Sequence, residues 1–306
     1  MESSHSSNKI TLKAPAKVNL FLEVKGKRPD GYWEIETVMQ SVTLYDTLIL
    51  EEAGDLEVVV KGAEIPEKEN LVFRASELLR ERSGLRSGAR IKLEKNIPVG
   101  RGLGGGSSDA AAALQGLNRL WRLGLSREQL VSIARDLGAD VPFFLYGGTC
   151  LCRGRGEIVE PVVSRAVLHF VLISPEFGIP TKKIYKNLKI ILTTTNKESK
   201  LLIEGLSRGQ AAKVARFCYN RLENTAFSLY PELAELKRKL KEVPFLCAGM
   251  TGSGSCFFGL CQDEFEARQL AKELEQRNIG IIFSVKTHLG AAAGKGAERE
   301  DNGSQG

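Results

Sequence analysis

The sequence predicts an α+β protein of two domains with a cleft between them. Its 306 residues exceed what one compact core usually takes, and about two domains of ordinary size fit them. Strand patterns open the chain, and helical patterns become frequent further along it. A glycine-rich segment, Pro98–Ser108, stands between a predicted strand and a predicted helix, where a ligand site is expected.

Composition and charge exclude several classes of protein. With 42% hydrophobic and 26% charged residues, the chain is typical of globular proteins. It has no run of about 18 apolar residues, so no membrane span or membrane partner is expected. The polar N-terminus does not resemble a secretory signal, and we expect a cytoplasmic protein. The net charge of +6 fits either a solvated surface or a positive field that attracts anionic ligands, including nucleic acid.

The six cysteines do not predict a zinc site. None forms a C-x-x-C pair, and the three histidines are distant from them in sequence. Reduced, buried thiols are the expected state in the cytoplasm.

The first part of the chain predicts strands around one helix. Apolar residues alternate with others over 17–24, which gives a strand with two distinct faces. An apolar stripe over 69–82 predicts a helix that ends at Gly84. Further strands are expected near residues 35–42, 47–52, 56–61 and 89–95.

Two helices are predicted after the glycine-rich segment. The first includes Ser107 and Ser108, and Ser126 with Gln129 forms a capping box for the second, which ends near Gly138. Asp140 follows directly, and Pro142 predicts extended backbone there, so that Asp140 would stand between a helix and a strand.

A composition break over 153–163 marks the expected domain boundary. The second part predicts a strand at 168–174, a glycine turn between short apolar runs near Cys247 and Phe257, and a strand at 279–285. Helices are expected at 182–188, 210–220, 232–241 and 263–276. The predicted organisation is a flexible tail (1–9), an ATP-binding domain (10–160), a substrate-binding domain (161–289) and a disordered tail (290–306).

The glycine-rich segment has the properties of an anion site. Five glycines leave backbone N–H groups free to close on an anion, and the next helix directs its N-terminal amides to the same place. A flexible linker is disfavoured because a strand enters the segment and an amphipathic helix leaves it. A Walker P-loop needs a lysine that is absent here. The pattern Gly100-x-Gly102-x-x-Gly105 matches the dinucleotide fingerprint, but no acidic residue ends a second strand about 20 residues later.

Three segments together resemble one enzyme superfamily. Pro98–Ser108 is similar to the phosphate loop of the galactokinase, homoserine kinase, mevalonate kinase and phosphomevalonate kinase superfamily. Ala14–Leu20 and Gly249–Ser255 resemble its N-terminal and C-terminal motifs. The resemblance implies a two-domain small-molecule kinase fold and the use of ATP and Mg²⁺. Four further segments resemble the branch that phosphorylates a cytidine diphosphate-linked methylerythritol in non-mevalonate isoprenoid precursor biosynthesis: Pro15–Leu22, Asp30–Tyr32, Gly104–Ala111 and Gly138–Phe144.

The resemblance also implies roles for individual residues. Asp140 would be the catalytic base and Lys17 would orient it. Without the resemblance, a solvated strand lysine and a turn-forming aspartate are the ordinary interpretations of Lys17 and Asp140. The nucleotide would contact Pro98, Val99, Gly100, Arg101, Gly102, Leu103, Gly104, Gly105, Gly106, Ser107 and Ser108. Arg101 departs from the small residue usual there, and would either contact ATP or point into solvent.

For the substrate, the resemblance implies an aromatic site for the base. Tyr32 and Tyr185 would stack on the two faces of cytosine, although Tyr32 and the adjacent Trp33 also fit simple edge packing. Trp33 stands where the family typically has histidine. The other implied substrate contacts are Asn19, Asn70, Thr181, Gly252 and Ser253.

The expected partner is this small-molecule substrate and not nucleic acid, and we expect a monomer or weak homodimer. Two alternatives stay open at this point. One is another small-alcohol kinase of the mevalonate or homoserine type. The other is a non-catalytic nucleic-acid-binding protein, for which basic residues would cluster around exposed aromatics.

Overall fold

Two β-sheets with helices packed on them form the frame of the protein. The computed structural model describes residues 9–189 and 197–290. The tails predicted at 1–9 and 290–306 therefore lie outside the described residues, apart from Lys9 and Gly290. Within this part of the chain the strands are β1 (Ile10–Lys27), β2 (Trp33–Ala53), β3 (Leu56–Lys61), β4 (Gly88–Glu94), β5 (Thr149–Gly154), β6 (Ile158–Pro161), β7 (His169–Ser174), β8 (Tyr219–Asn220), β9 (Cys247–Met250), β10 (Phe257–Cys261) and β11 (Ile281–Lys286).

The helices of the described residues lie mostly after the glycine-rich segment. They are α1 (Leu71–Ser83), α2 (Gly105–Leu120), α3 (Arg127–Leu137), α4 (Val141–Tyr146), α5 (Thr181–Lys186), α6 (Lys197–Ser207), α7 (Ala211–Phe217), α8 (Glu223–Leu229), α9 (Pro231–Leu240) and α10 (Glu264–Glu275). A short 3₁₀ helix (Glu67–Glu69) precedes α1. None of these helices is long and apolar enough to cross a membrane.

In the described part of the chain, the larger sheet has seven strands. Five of them follow the order β3-β4-β2-β1-β8, and the other two are added at β2, where β5 pairs with β2 and β6 pairs with β5. The long strand β2 reaches both partners because β5 pairs with its first part (Ile35–Gln40) and β4 with its last part (Thr47–Ala53). The smaller sheet is antiparallel, in the order β11-β7-β10-β9. Strand β8 lies after the expected boundary at residue 160 and still pairs in parallel with β1, so the larger sheet takes one strand from the second part of the chain.

Within the described residues, three apolar cores hold these layers. Helices α1–α4 pack on the larger sheet, where α2 buries Leu114 and Leu117. A second core joins the two sheets through Leu20 of β1 and Phe170 of β7, among others. A third lies between the smaller sheet and α8–α10. Because β1 has neighbours on both sides, it buries all residues from 17 to 24, and the side chains of Lys17 and Asn19 face the cleft described below.

Most predicted elements are present with shifted ends. The capping box of α3 forms between Ser126 and Gln129, and α1 ends at Gly84, whose φ of 68° is left-handed. The prediction of an extended segment at Pro142 is wrong. Helix α4 begins there, because proline in a first helical turn removes only an N–H that has no partner within the helix. The sequence patterns also missed α6 and α8, which are short and amphipathic within polar surroundings. The six cysteines are free thiols; Cys150, Cys152, Cys256 and Cys261 are buried as expected, whereas Cys218 and Cys247 are only partly buried.

Candidate active site

A cleft of about 1420 Å³ lies between the glycine-rich segment and the loops of the smaller sheet. Most of the residues predicted for the site line it: Lys17, Asn19, Tyr32, Trp33, Pro98, Val99, Gly100, Arg101, Gly102, Gly104, Gly105, Gly106, Ser107, Asp140, Thr181, Tyr185, Gly252 and Ser253. Leu103 and Ser108 are buried instead of lining it. Asn70 is buried as well, and its Oδ1 accepts a hydrogen bond from Val72 N at 2.9 Å as the N-cap of α1.

Lys17 and Asp140 meet at the centre of the cleft. Lys17 Nζ is 3.9 Å from Asp140 Oδ2, although the residues are remote in sequence. Asp140 stands at the N-terminus of α4, but its carboxylate makes no capping hydrogen bond, and about a third of its side chain is exposed. The carboxylate therefore remains available to a ligand, next to a buried ammonium group.

The ammonium group of Lys17 is fixed by a chain of hydrogen bonds. Lys17 Nζ donates to Asn19 Oδ1 at 2.5 Å, and Asn19 Nδ2 donates to Thr37 Oγ1 at 2.8 Å. Thr251 Oγ1 accepts from Asn19 N at 3.0 Å, which brings the glycine turn of the smaller sheet to the same point. The predicted substrate contact Asn19 thus uses its amide oxygen to position Lys17. Neither hydroxyl is predicted from the sequence: Thr37 lies outside the recognised motifs, and Thr251 lies within Gly249–Ser255, whose resemblance implies contacts for Gly252 and Ser253 only.

Burial and charge act in opposite directions on Lys17. Burial lowers the pKa of its ammonium group, and the negative charge of Asp140 opposes that shift. A positive charge in such a place attracts negative charge strongly, because little water screens it.

The glycine-rich segment forms a loop that presents its backbone to the cleft. Gly100, Gly102 and Gly104 all have positive φ, between 70° and 79°. At Gly102 a Cβ atom would lie 2.3 Å from the carbonyl oxygen of Thr251, so only glycine fits between the two loops. Gly104 precedes α2 directly, and the first amides of that helix line the cleft through Gly105, Gly106 and Ser107. Free amides and a helix N-terminus together form an anion site.

Arg101 has a role that the sequence had left open. It does not point freely into solvent, and because it also lines the cleft, its contact with ATP stays a prediction. Its guanidinium donates to the carbonyl oxygen of Glu176, in the segment between β7 and α5. Its backbone carbonyl accepts from Cys256 N at 3.1 Å, and burial lowers the pKa of its guanidinium. Nη1 is buried without a hydrogen-bond partner among the described residues. Arg101 therefore joins the loop to the second part of the chain.

Aromatic residues occupy the other end of the cleft. Tyr32 is 55% exposed, and the guanidinium carbon of Arg155 lies 4.9 Å from its ring centroid. Trp33 Nε1 donates to the carbonyl oxygen of Tyr185 at 3.1 Å. The tryptophan that stands here in place of the family's usual histidine therefore connects β2 to α5. Burial raises the pKa of the Tyr185 phenol, and the charge of Asp140 adds to that shift. The phenol is therefore neutral at physiological pH.

The glycine turn after β9 closes the cleft from the second part of the chain. Ser253 Oγ and Thr181 Oγ1 are 2.8 Å apart and share a hydrogen bond. A Cβ atom at Gly252 would lie 3.2 Å from Lys17 Nζ. Asn220 Nδ2 donates to the carbonyl oxygens of Met250 and Gly252, at 2.7 and 2.8 Å. These bonds fix the turn against the catalytic pair predicted from the sequence.

Sequence reasoning missed Lys95, which lines the cleft beside the loop. Its Nζ donates to Asp46 and to Asp109, and all three side chains are almost fully buried. Burial, with the nearby charge of Asp46, raises the pKa of Asp109 to about 7, and Lys95 opposes that shift. Asp46 and Lys95 belong to no recognisable motif, and the position of Lys95 directly before the loop was the one available signal.

The comparisons with known proteins agree on one group of enzymes. Residues 70–148 match the family described as GHMP kinases N terminal domain, and residues 202–280 match GHMP kinases C terminal. A 4-diphosphocytidyl-2-C-methyl-D-erythritol kinase of Pelotomaculum thermopropionicum is 48% identical over 278 residues, covering 90% of this chain and 97% of that protein. The enzyme of the same name from Syntrophomonas wolfei is 40% identical over 92% of this chain and 99% of its own.

Solved structures give the same result. A crystal structure of 4-(cytidine 5'-diphospho)-2C-methyl-D-erythritol kinase matches with a TM-score of 0.76 and 36% identity, covering 91% of this chain and all of that one. A homoserine kinase from Cytophaga hutchinsonii matches with a TM-score of 0.73 at 20% identity, over 95% of this chain and 98% of its own. The second match concerns the fold alone. The α+β fold expected from the sequence is thus confirmed as that of the GHMP kinases.

Proposed function

Because the chain belongs to the family of 4-diphosphocytidyl-2-C-methyl-D-erythritol kinases, we propose that it transfers the γ-phosphoryl group of ATP to the C2 hydroxyl of 4-diphosphocytidyl-2-C-methyl-D-erythritol. The observation that carries this proposal is the pair Lys17–Asp140, which lies between an anion-binding loop and an aromatic surface in one cleft. The product would serve isoprenoid precursor biosynthesis.

Phosphoryl transfer to an alcohol needs a proton acceptor and groups that stabilise negative charge. Asp140 takes the proton of the substrate's C2 hydroxyl while the hydroxyl oxygen forms a bond to the γ-phosphorus of ATP. The bond between that phosphorus and the oxygen that bridges it to ADP breaks, and ADP leaves. Lys17, held by Asn19, orients Asp140 and attracts the transferred oxygens. The loop amides and the N-terminus of α2 hold the ATP phosphates. No covalent enzyme intermediate is required.

The substrate's cytosine would stack on Tyr32, with Tyr185 on its other face. Both rings line the cleft, and the Trp33 indole fixes the backbone at Tyr185. Thr181, Gly252 and Ser253 line the same cleft, with Gly252 beside Lys17 and Ser253 bonded to Thr181, and the substrate's own diphosphate would be placed there. Asn70 is buried as the N-cap of α1 and does not line the cleft, and its contact with the substrate stays a prediction from the resemblance.

Magnesium is the second cofactor of the proposal, and the donor set fits it. The described residues contain no cluster of three or more His, Cys, Asp or Glu side chains able to hold a metal. Mg²⁺ in kinases is usually held by one or two protein groups and the substrate's phosphates. Ser107 lines the cleft at the start of α2 and would hold it together with the nucleotide phosphates, whereas the Oγ of Ser108, which has no hydrogen-bond partner among the described residues, is buried outside the cleft lining. When bound, Mg²⁺ neutralises phosphate charge.

A coupled ADP-release assay tests the activity. We expect Mg²⁺-dependent turnover with 4-diphosphocytidyl-2-C-methyl-D-erythritol and competition by cytidine nucleotides. Turnover with mevalonate or homoserine but none with the cytidine substrate would reduce the proposal to the superfamily. Salt-dependent RNA binding together with no ATP binding would favour the nucleic-acid alternative. We further propose a cytoplasmic monomer or weak homodimer, which sedimentation at micromolar concentration would test.

A further inference from the structure

A buried group of three charged residues closes the base of the phosphate loop. Lys95 follows β4 and precedes the loop, whereas Asp109 lies in α2, directly after it. Lys95 Nζ donates to Asp109 Oδ2 at 2.7 Å, so this bond joins the two ends of the loop. Lys95 Nζ also donates to Asp46 Oδ2. We call this group, Asp46–Lys95–Asp109, the loop clasp.

Asp46 connects the clasp to the backbone that enters the loop. Its Oδ1 accepts from Asn96 N at 2.5 Å and from Ile97 N at 2.8 Å, the two residues before Pro98. A single carboxylate thus fixes the backbone on the strand side and the ammonium group that reaches the helix side. Burying a charged side chain costs desolvation free energy. In the loop clasp the buried side chains are hydrogen-bonded to one another across the phosphate loop.

The clasp lies directly under the first residue of α2. A Cβ atom at Gly105 would be 3.2 Å from Lys95 Nζ and 3.0 Å from Ile97 Cγ2. The position of the N-terminus of α2 relative to β4 therefore depends on Lys95. Asp46 and Asp109 do not line the cleft, so their effect on a nucleotide must pass through Lys95 and the backbone.

We propose that Asp46 and Asp109 are positioning residues that act through Lys95 to hold the phosphate loop in its nucleotide-binding shape. The inference rests on the proposed function for the identity of the nucleotide. It assigns the clasp to ATP binding and not to the alcohol substrate. Loss of either carboxylate should weaken nucleotide binding by about tenfold, the effect of one charge-assisted hydrogen bond, and leave the KM of the alcohol unchanged.

The test measures MgADP binding by calorimetry for wild type, Asp46→Asn, Asp109→Asn and the double variant. Each single change should raise the Kd about tenfold, and the double variant should bind more tightly than the product of the two effects predicts, because both act through Lys95. Glu23→Gln is the matched control. Glu23 is a buried carboxylate that Arg221 binds through two hydrogen bonds away from the cleft. This variant should lower Tm with MgADP binding unchanged.

The results separate a positioning role from a structural one. If both single variants lose Tm as Glu23→Gln does and keep the Kd for MgADP within twofold, the proposal is overturned. Should Asp46→Asn not fold, Asp109→Asn decides, because it leaves the bonds from Asp46 to the backbone amides in place. A wild type that binds MgADP and does not phosphorylate the cytidine substrate contradicts the proposed function, yet the clasp is still judged on the MgADP data. A wild type that does not bind MgADP contradicts both.

Discussion

The two ends of the cleft are built in opposite ways. At the phosphate end the backbone of the loop is fixed by buried contacts: Gly102 against Thr251, and the loop clasp beneath. At the aromatic end Tyr32 is more than half exposed, with Arg155 against its ring. The first arrangement is preorganised by tertiary structure, whereas the second depends on individual side chains. Changes at the phosphate end should therefore affect nucleotide binding and stability together, and changes at the aromatic end should affect substrate binding alone.

The largest effect is expected between the two ends, at Asp140. Asp140→Asn removes the proton acceptor and should lower kcat by about 10²–10⁴-fold. The fold should be kept, because the side chain is partly exposed and caps no helix. Coupled-assay kinetics and thermal unfolding measure both effects. Asp263→Asn is the control, since Asp263 is a capping aspartate whose Oδ1 accepts from Glu266 N at the start of α10, and it should leave kcat unchanged. Near-normal kcat in Asp140→Asn would exclude Asp140 as the base.

Asp140 also shows how much of the candidate site can be predicted from the sequence. Its place after α3 and its membership of a recognisable motif made it a candidate. Pro142 predicts extended backbone after Asp140, although a first helical turn accepts proline equally well. The clasp could not be predicted, because Asp46, Lys95 and Asp109 come from three elements that only the folded sheet brings together. The role of Arg101 could not be predicted from the sequence either. Its partner is the backbone carbonyl of Glu176, and no side-chain pattern reveals a backbone partner.

The phosphate end can be tested with two glycines that differ in one respect. Gly100 and Gly102 have similar positive φ, so alanine should cost each about 1–2 kcal/mol of unfolding free energy. A Cβ atom at Gly100 meets nothing within 4 Å, whereas at Gly102 it meets Thr251. Gly102→Ala should therefore cost roughly 1–3 kcal/mol more than Gly100→Ala and raise the KM for ATP further. Urea unfolding and kinetics would show it. Equal losses in the two variants would mean that the contact with Thr251 does not constrain the loop.

At the aromatic end, Tyr32→Ala should raise the KM for the cytidine substrate by about tenfold, because the stacking surface is lost. Tyr32→Phe keeps the ring and should stay close to wild type. The KM for ATP and Tm should change little in either variant, since the Tyr32 side chain is exposed. If Tyr32→Ala weakens ATP and the cytidine substrate equally, the two ends of the cleft are not independent.

The smallest effect concerns pH and the clasp in the absence of ligand and metal. The pKa of Asp109 is raised to about 7 by burial and Asp46, against Lys95, so the folded protein holds a proton that the unfolded chain releases above about pH 4. The contribution of Asp109 to stability is therefore complete below the unfolded pKa and is lost as pH rises through about 7. Asp109→Asn cannot titrate. The unfolding free energy of wild type relative to this variant should fall by roughly 1–3 kcal/mol between pH 5 and pH 8, measured with urea in EDTA. A difference that stays constant or grows with pH would show that Asp109 is ionised across this range, and that Lys95 outweighs the burial of the carboxylate.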